Sequence, residues 1–354
     1  MRVAGKQIRV LVVDDSPLMR EMIRAILTSE PDIAVIGVAG DGLEAVRTVA
    51  SLKPDIVTMD IEMPVLGGLE AIERIIAEHP VPILVVTALT GVRTAFNAIS
   101  RGALDVIEKP DVSLENMQAL LGKVRLLARV DICAHLAATR RRSAVPAITR
   151  EASSGASRAK VVAVAASTGG PQAIHSILAA LPARFPVPIV ITQHIAEGFT
   201  QGMVDWLAGA TPLKVSVASN GELLVPGTVY VNPAEKTMRI TETGLIALAE
   251  RDPRRIYRPC CDTMLTSVAA VCRERAVGLI LSGMGSDGVA GLEAIRARGG
   301  VTLAQDAQSS VVYGMNRSAV ERGCVDKVIP LAAIPGALMQ LADKGPSGGR
   351  KCAQ

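Results

Sequence analysis

Twice along this chain, short apolar and β-branched runs alternate with segments of helical period. Strict alternation of that kind folds into parallel sheets covered by helices on both faces. Residues 8–130 run IRVLVVDD, PLMREMIRAILTSE, DIAVIGVAG, GLEAVRTVASLK, PDIVTMDI, GLEAIERIIAEH, VPILVVTAL, RTAFNAISRG, ALDVIEKP and SLENMQALLGKVRLLARV. They predict an α/β unit with five parallel strands. After residues 131–159, read as a linker without periodicity, the alternation resumes at KVVAVAAS and continues through residue 344. This second half predicts a doubly wound α/β domain with a β-hairpin section, TVYVNPAEKTMRITETGLIALAE. Residues 345–354 read as a disordered tail.

The formal charge of +4 looks like a hint of nucleic acid until it is located. Residues 137–160 hold Arg140, Arg141, Arg142, Arg150, Arg158 and Lys160 against Glu151, which by itself exceeds the surplus. A short basic run rich in Ala, Ser and Gly reads as a solvated linker, so no nucleic-acid partner is expected. One Trp, three Tyr and three Phe are too few for a base-stacking platform. Cysteines 133, 260, 261, 272, 324 and 352 form no C-x-x-C pair and have no histidine at metal spacing, which indicates neither a zinc site nor a disulfide framework. The start MRVAGKQIRVLVVDD lacks a signal-peptide core, and no long apolar run follows. A soluble, cytoplasmic protein with no membrane insertion is expected.

In open α/β sheets ligands bind beyond the carboxyl ends of the strands. In the first half those ends carry Asp14 and Asp15, Asp60, Thr87 and Lys109. Three converging carboxylates repel one another unless a hard cation neutralises them, and Mg²⁺ suits such oxygens. Asp60 then reads as a nucleophile that takes a phosphoryl group, with Lys109 pairing the added charge and the Thr87 hydroxyl donating to it. Any one of these acids alone reads first as a helix cap. Five such residues at successive strand ends do not.

The second half places Ser167 in the turn STGG, His194 after VPIVITQ, and Asp287 in SGMGSDGVAG. Alone, Ser167 reads as an N-cap before Pro171. With a histidine after the next strand as base and a carboxylate to orient that base, it becomes a nucleophile. The glycines 283, 285 and 288 also spell G-x-G-x-x-G, and Asp306 lies where a ribose-binding acid would stand. A pyrophosphate there would face Asp287, however, and Ser167 and His194 would have no use. The glycines are better read as letting the turn approach a reacting carbonyl, with the N–H of Met284 stabilising an oxyanion.

Two resemblances support these readings. VVDDSP, VTMDIEMP, VTA and EKP resemble the receiver domains of two-component response regulators, which implies a flavodoxin-like fold. It also implies phosphorylation of Asp60 by a histidine kinase of the chemotaxis type, with Mg²⁺ held by Asp14, Asp15, Asp60 and the Glu62 carbonyl. Val106 stands where many receivers carry an aromatic residue. AASTGGPQAI, ITQHI, GTVYVNPA, RPCCD, LSGMGSDGVAGL and VVYGMNRSAV resemble the catalytic domain of the chemotaxis protein-glutamate methylesterases. That implies phosphorylation-activated hydrolysis of γ-glutamyl methyl esters on the cytoplasmic helices of chemoreceptors, and in some members deamidation of glutamines, with no cofactor for the esterase step. Ser167, His194 and Asp287 would be catalytic, and Thr168 and Met284 would position the tetrahedral intermediate. The rival from another class is a non-enzymatic, phosphorylation-dependent adaptor or phosphate sink.

Overall fold

The computed structural model describes residues 6–88, 92–111, 113–140, 160–251 and 257–343. The chain divides into two compact units, Met1–Ala138 and Thr139–Gln354.

In chain order the first unit contains β1 (Ile8–Val13), α1 (Pro17–Thr28), β2 (Ile33–Ala39), α2 (Gly42–Leu52), β3 (Ile56–Met59), α3 (Gly68–Glu78), β4 (Ile83–Thr87), α4 (Val92–Ser100), β5 (Asp105–Glu108), α5 (Leu114–Leu127) and α6 (Ile132–Arg140). The sheet runs β2-β1-β3-β4-β5 with every pairing parallel. That is the flavodoxin-like order, with its switch point between β1 and β3. Residues 10–13 and the whole of β3 and β4 are buried, as strands covered on both faces must be. The helix starts are set locally: Ser16 accepts the Met19 N–H ahead of Pro17, and Asp41 accepts from Leu43 and Glu44.

α6 stands where the sequence suggested that the linker begins. The Asp131 carboxylate accepts the Ala134 N–H and starts this helix, and Ile132 and His135 are buried. A nine-residue helix with three alanines gives a weak periodic signal, which the basic run beginning at Arg140 hid. The rest of the expected linker (141–159) and the expected tail lie outside the described residues.

The second unit contains β6 (Val161–Ala166), α7 (Gly170–Ala179), β7 (Ile189–Gln193), α8 (Thr200–Ala208), β8 (Lys214–Val217), β9 (Thr228–Val231), β10 (Lys236–Ile240), β11 (Ile246–Glu250), α9 (Cys261–Cys272), β12 (Ala276–Ile280), α10 (Val289–Ala297), β13 (Val301–Gln305), α11 (Met315–Glu321), β14 (Lys327–Ile329) and α12 (Ile334–Asp343). Seven parallel strands run β14-β13-β12-β6-β7-β9-β8. TVYV, expected in the hairpin, is instead β9, inserted in parallel between β7 and β8. Among the described residues only the strands β10 and β11 form an antiparallel pair, in a separate two-stranded sheet.

From β6 the chain builds one side of the seven-stranded sheet through β7, then crosses to β12 on the other side. β6 and β12 therefore flank the switch point, where the crevice for a ligand opens. Beneath it, Ala163 and Ala165 of β6 pack in one aliphatic core with Met264, Leu265 and Val268 of α9 and Leu292 and Ile295 of α10.

Candidate functional site

The first unit gathers its acids at the switch point. Asp14 follows β1 and Asp60 follows β3; both are buried, and carboxylate oxygens of Asp14, Asp15 and Asp60 lie within 4.8 Å of one another. Lys109, just beyond β5, places Nζ 2.8 Å from Oδ2 of both Asp14 and Asp60. The other oxygens are held by backbone: Ser16 N–H donates to Asp14 at 2.9 Å and Ile61 N–H to Asp60 at 2.7 Å.

Burial, with the Asp60 charge beside it, raises the Asp14 carboxyl above its ordinary value despite the hydrogen bonds from Lys109 and Ser16. Burial alone would lower the Lys109 ammonium, but its bonds to Asp14 and Asp60 outweigh that and raise it. Thr87 is buried at the end of β4, Glu62 is exposed two residues after Asp60, and Val106 is half-buried against the aliphatic core. Clustered carboxylates with one cation between them are a hard-oxygen donor set, and they fit Mg²⁺.

In the second unit the register aligns the other three residues. Ala166 pairs with Gln193 and Ala165 with Ile280, so Ser167, His194 and the loop after β12 share one rim. Backbone bonds fix Ser167: its N–H donates to Ser282 O at 3.0 Å, and its carbonyl accepts from Gly170 N–H at 2.7 Å and from Gln193 Nε2 at 2.8 Å. His194 N–H donates to Ala166 O at 3.0 Å. The imidazole Nε2 lies 2.8 Å from Asp287 Oδ2, which leaves Nδ1 as the nitrogen to receive a proton. Among the described residues no hydrogen bond joins the Ser167 hydroxyl to His194. The structure thus joins two members of the expected triad and places the third at the end of the adjacent strand.

Asp287 is held from behind by a reciprocal cap. Its carboxylate accepts the N–H groups of Cys261 at 2.7 Å and Asp262 at 2.9 Å, at the start of α9. Asp262 in turn accepts from Gly288 at 2.9 Å and Gly291 at 2.8 Å, at the start of α10. Two helix N-termini with their positive dipole ends are each satisfied by the carboxylate beside the other. Burial pushes the Asp287 carboxyl up, but the His194 contact and these two N–H groups outweigh it and hold it below the usual carboxylate range.

The glycine run does steric work. A Cβ on Gly283 would lie 2.7 Å from Ser167 Cβ and 2.3 Å from Met315 Sδ, so only glycine lets this turn pass so close to the serine. Gly285, with φ of +92°, leaves room for the Tyr257 hydroxyl, which would lie 2.3 Å from its Cβ. Met284 is exposed, and its N–H has no hydrogen-bond partner among the described residues. Thr168 is buried, with its carbonyl accepting from Ser282 Oγ at 2.7 Å. Asp306, the acid of the dinucleotide reading, accepts the Ser309 N–H at 3.0 Å inside its own loop.

Two neighbours of His194 were not singled out in the sequence. The Tyr257 ring stacks on the imidazole, with centroids 5.2 Å apart and planes 10° from parallel. The Cys261 thiol approaches Nε2 from within the protein at 3.5 Å, and burial pushes that thiol well above its ordinary value. Neither has a spacing signature. The remaining histidines have other settings: His79 ends α3, His135 is buried in α6, and His175 stacks on Trp206.

Residues 162–338 match the CheB methylesterase family and residues 10–121 the response regulator receiver domain. A protein-glutamate methylesterase/protein-glutamine glutaminase of Paramagnetospirillum magneticum is 48% identical over 96% of this chain and 97% of its own length. The chain belongs to the CheB methylesterase family. A relative with the same activities in its name, from Myxococcus xanthus, is 44% identical over 98% of this CheB-family chain and 97% of its own length. The crystal structure of the CheB methylesterase catalytic domain of Thermotoga maritima is 35% identical, with a TM-score of 0.50; the match covers 52% of this chain and 98% of that one. Among the described residues no helix is long and apolar enough to cross a membrane.

Proposed function

We propose that this CheB-family chain hydrolyses γ-glutamyl methyl esters on the cytoplasmic helices of chemoreceptors, and that phosphorylation of Asp60 switches the activity on. The observation that carries the reading is the His194–Asp287 contact of 2.8 Å at the switch point, on the rim that carries Ser167.

Ser167 Oγ attacks the ester carbonyl while its proton passes to His194 Nδ1. Asp287 stabilises the imidazolium through Nε2–H, and it keeps the neutral ring in the tautomer whose Nδ1 is a base. The developing oxyanion is met by the Met284 N–H, with Thr168 positioning the intermediate. The imidazolium then gives its proton to the leaving methoxide, and methanol departs. Water, deprotonated by the same nitrogen, hydrolyses the acyl-enzyme to the glutamate carboxylate. With a glutamine side chain the same steps release ammonia, which matches the second activity in the relatives' names.

In the first unit Asp60 receives the phosphoryl group from a histidine kinase of the chemotaxis type. Lys109, whose Nζ lies 2.8 Å from Asp60 Oδ2, and the Thr87 hydroxyl would meet its added charge. Asp14, Asp15, Asp60 and the Glu62 carbonyl would hold Mg²⁺, which neutralises charge during phosphoryl transfer.

The test is methanol release from methylated receptor membranes, with and without a small phosphodonor. Release that rises with the phosphodonor, and no longer does so in Asp60→Asn, is the expected result. No release under either condition, with no Ser167 adduct from a serine-reactive probe, would leave the adaptor reading standing.

A further inference from the structure

No cysteine in this chain has metal-binding spacing, yet folding brings a thiol to the imidazole. Cys261 opens α9, is fully buried, and places Sγ 3.5 Å from His194 Nε2. The imidazole nitrogen, this sulfur and a carboxylate oxygen of Asp287 lie within 4.8 Å of one another. We propose that His194, Cys261 and Asp287 form a binding site for a single Zn²⁺ ion, and that the bound ion reversibly shuts off the esterase.

The donor set suits this ion. One imidazole, one thiolate and one carboxylate are a borderline-soft set that favours Zn²⁺ over Mg²⁺, whereas the Asp14, Asp15 and Asp60 cluster offers hard oxygens only. Bonds of about 2.3 Å to sulfur and about 2.0 Å to nitrogen at a tetrahedral angle put the two donors about 3.5 Å apart. That matches the Sγ–Nε2 distance of 3.5 Å. The Nε2–Oδ2 pair, at 2.8 Å, must open by about half an ångström to admit the ion. Three protein ligands leave a fourth position for water.

Inhibition follows from the tautomer. Zn²⁺ takes the Nε2 lone pair, so the ring's proton must sit on Nδ1. That nitrogen can then no longer accept the proton of Ser167. Binding releases one net proton, from the thiol, because the imidazole only moves its own from Nε2 to Nδ1. The inhibitory half of the proposal rests on the triad reading above; the metal site does not.

The test uses the full chain with Cys133→Ser and Cys352→Ser, which removes the exposed thiol and the one near the chain terminus. Titration with Co²⁺ alone should give a thiolate-to-cobalt charge-transfer band that saturates at one equivalent and is displaced by Zn²⁺. Adding Cys261→Ser, or Cys261→Ala should the serine variant not fold, should abolish the band. Methanol release should be lost at stoichiometric Zn²⁺ and return with a chelator. Each protein is compared with itself with and without metal, and the Cys261 variant should need about a hundredfold more Zn²⁺ for the same fractional loss.

Absence of the band, or its persistence without Cys261, overturns the site. A normal band with methanol release untouched by bound Zn²⁺ overturns the inhibition. Failure of the triad reading would appear separately, as full activity in Ser167→Ala.

Discussion

His194 Nε2 lies 2.8 Å from Asp287 Oδ2, and the same carboxylate is gripped from the other side by the N–H groups of Cys261 and Asp262. The Asp287 carboxylate is therefore held on both sides, by the imidazole and by the start of α9. Asp287→Asn should lower kcat by about 10²- to 10⁴-fold with KM changed far less, because the lost interaction strengthens only as the imidazolium forms. Steady-state kinetics of methanol release checks this, and a loss confined to KM would contradict it.

The same anchoring links stability to pH. The folded Asp287 carboxyl titrates below its ordinary value of 3.8, so its stabilising contribution is fully present above that pH. It is lost as pH falls through the lower, folded value. Urea unfolding of the wild-type chain and Asp287→Asn should differ most near neutrality and converge on acidification below about pH 4. A difference that stays constant down to pH 3 would show that this carboxylate is not selectively stabilised in the fold.

How much of this could be read from the sequence depends on the distance over which each feature acts. The alternation of strands and helices predicted both parallel sheets, and Asp14, Asp60, Lys109, Ser167 and His194 stand just beyond strand ends as expected, because the sheet itself brings successive strand ends together. TVYV was misplaced because a buried parallel strand and a hairpin arm share the same short β-branched run. The partners of Asp287 were invisible, since Cys261 and Asp262 lie 26 and 25 residues upstream and hold it through backbone N–H groups that leave no residue signature. Tyr257 and the Cys261 thiol reach His194 from outside the strand-end pattern, so periodicity could not point to either.

Asp14 sits in the opposite regime. Burial and the Asp60 charge raise its carboxyl, so ionising it costs the receiver stability, and that cost grows as pH rises through the folded value. Asp14→Asn should stabilise the first unit at pH 7 while weakening Mg²⁺-dependent phosphorylation. The gain should fade at acid pH, where the wild-type carboxyl is already neutral. Thermal unfolding followed across pH measures it, and destabilisation at pH 7 would contradict it.

Gly285 joins backbone strain to the site. Alanine there would have to hold φ near +92° and push aside the Tyr257 hydroxyl. Gly285→Ala should cost about 1–3 kcal/mol of stability and lower kcat/KM by disturbing the ring stacked on His194. Adding Tyr257→Ala should recover part of the stability but not the activity, because it relieves the clash and removes the stack together. Unfolding midpoints and kcat/KM for the three proteins decide this.

The role of Ser167 as nucleophile is tested most directly by one comparison, the rate of methanol release from methylated receptor membranes by the wild-type chain and by Ser167→Ala at equal concentration. Removing the hydroxyl at the end of β6 should lower the rate by about 10⁴-fold or more while leaving the unfolding midpoint within a few degrees. A folded Ser167→Ala protein that releases methanol at the wild-type rate would contradict it.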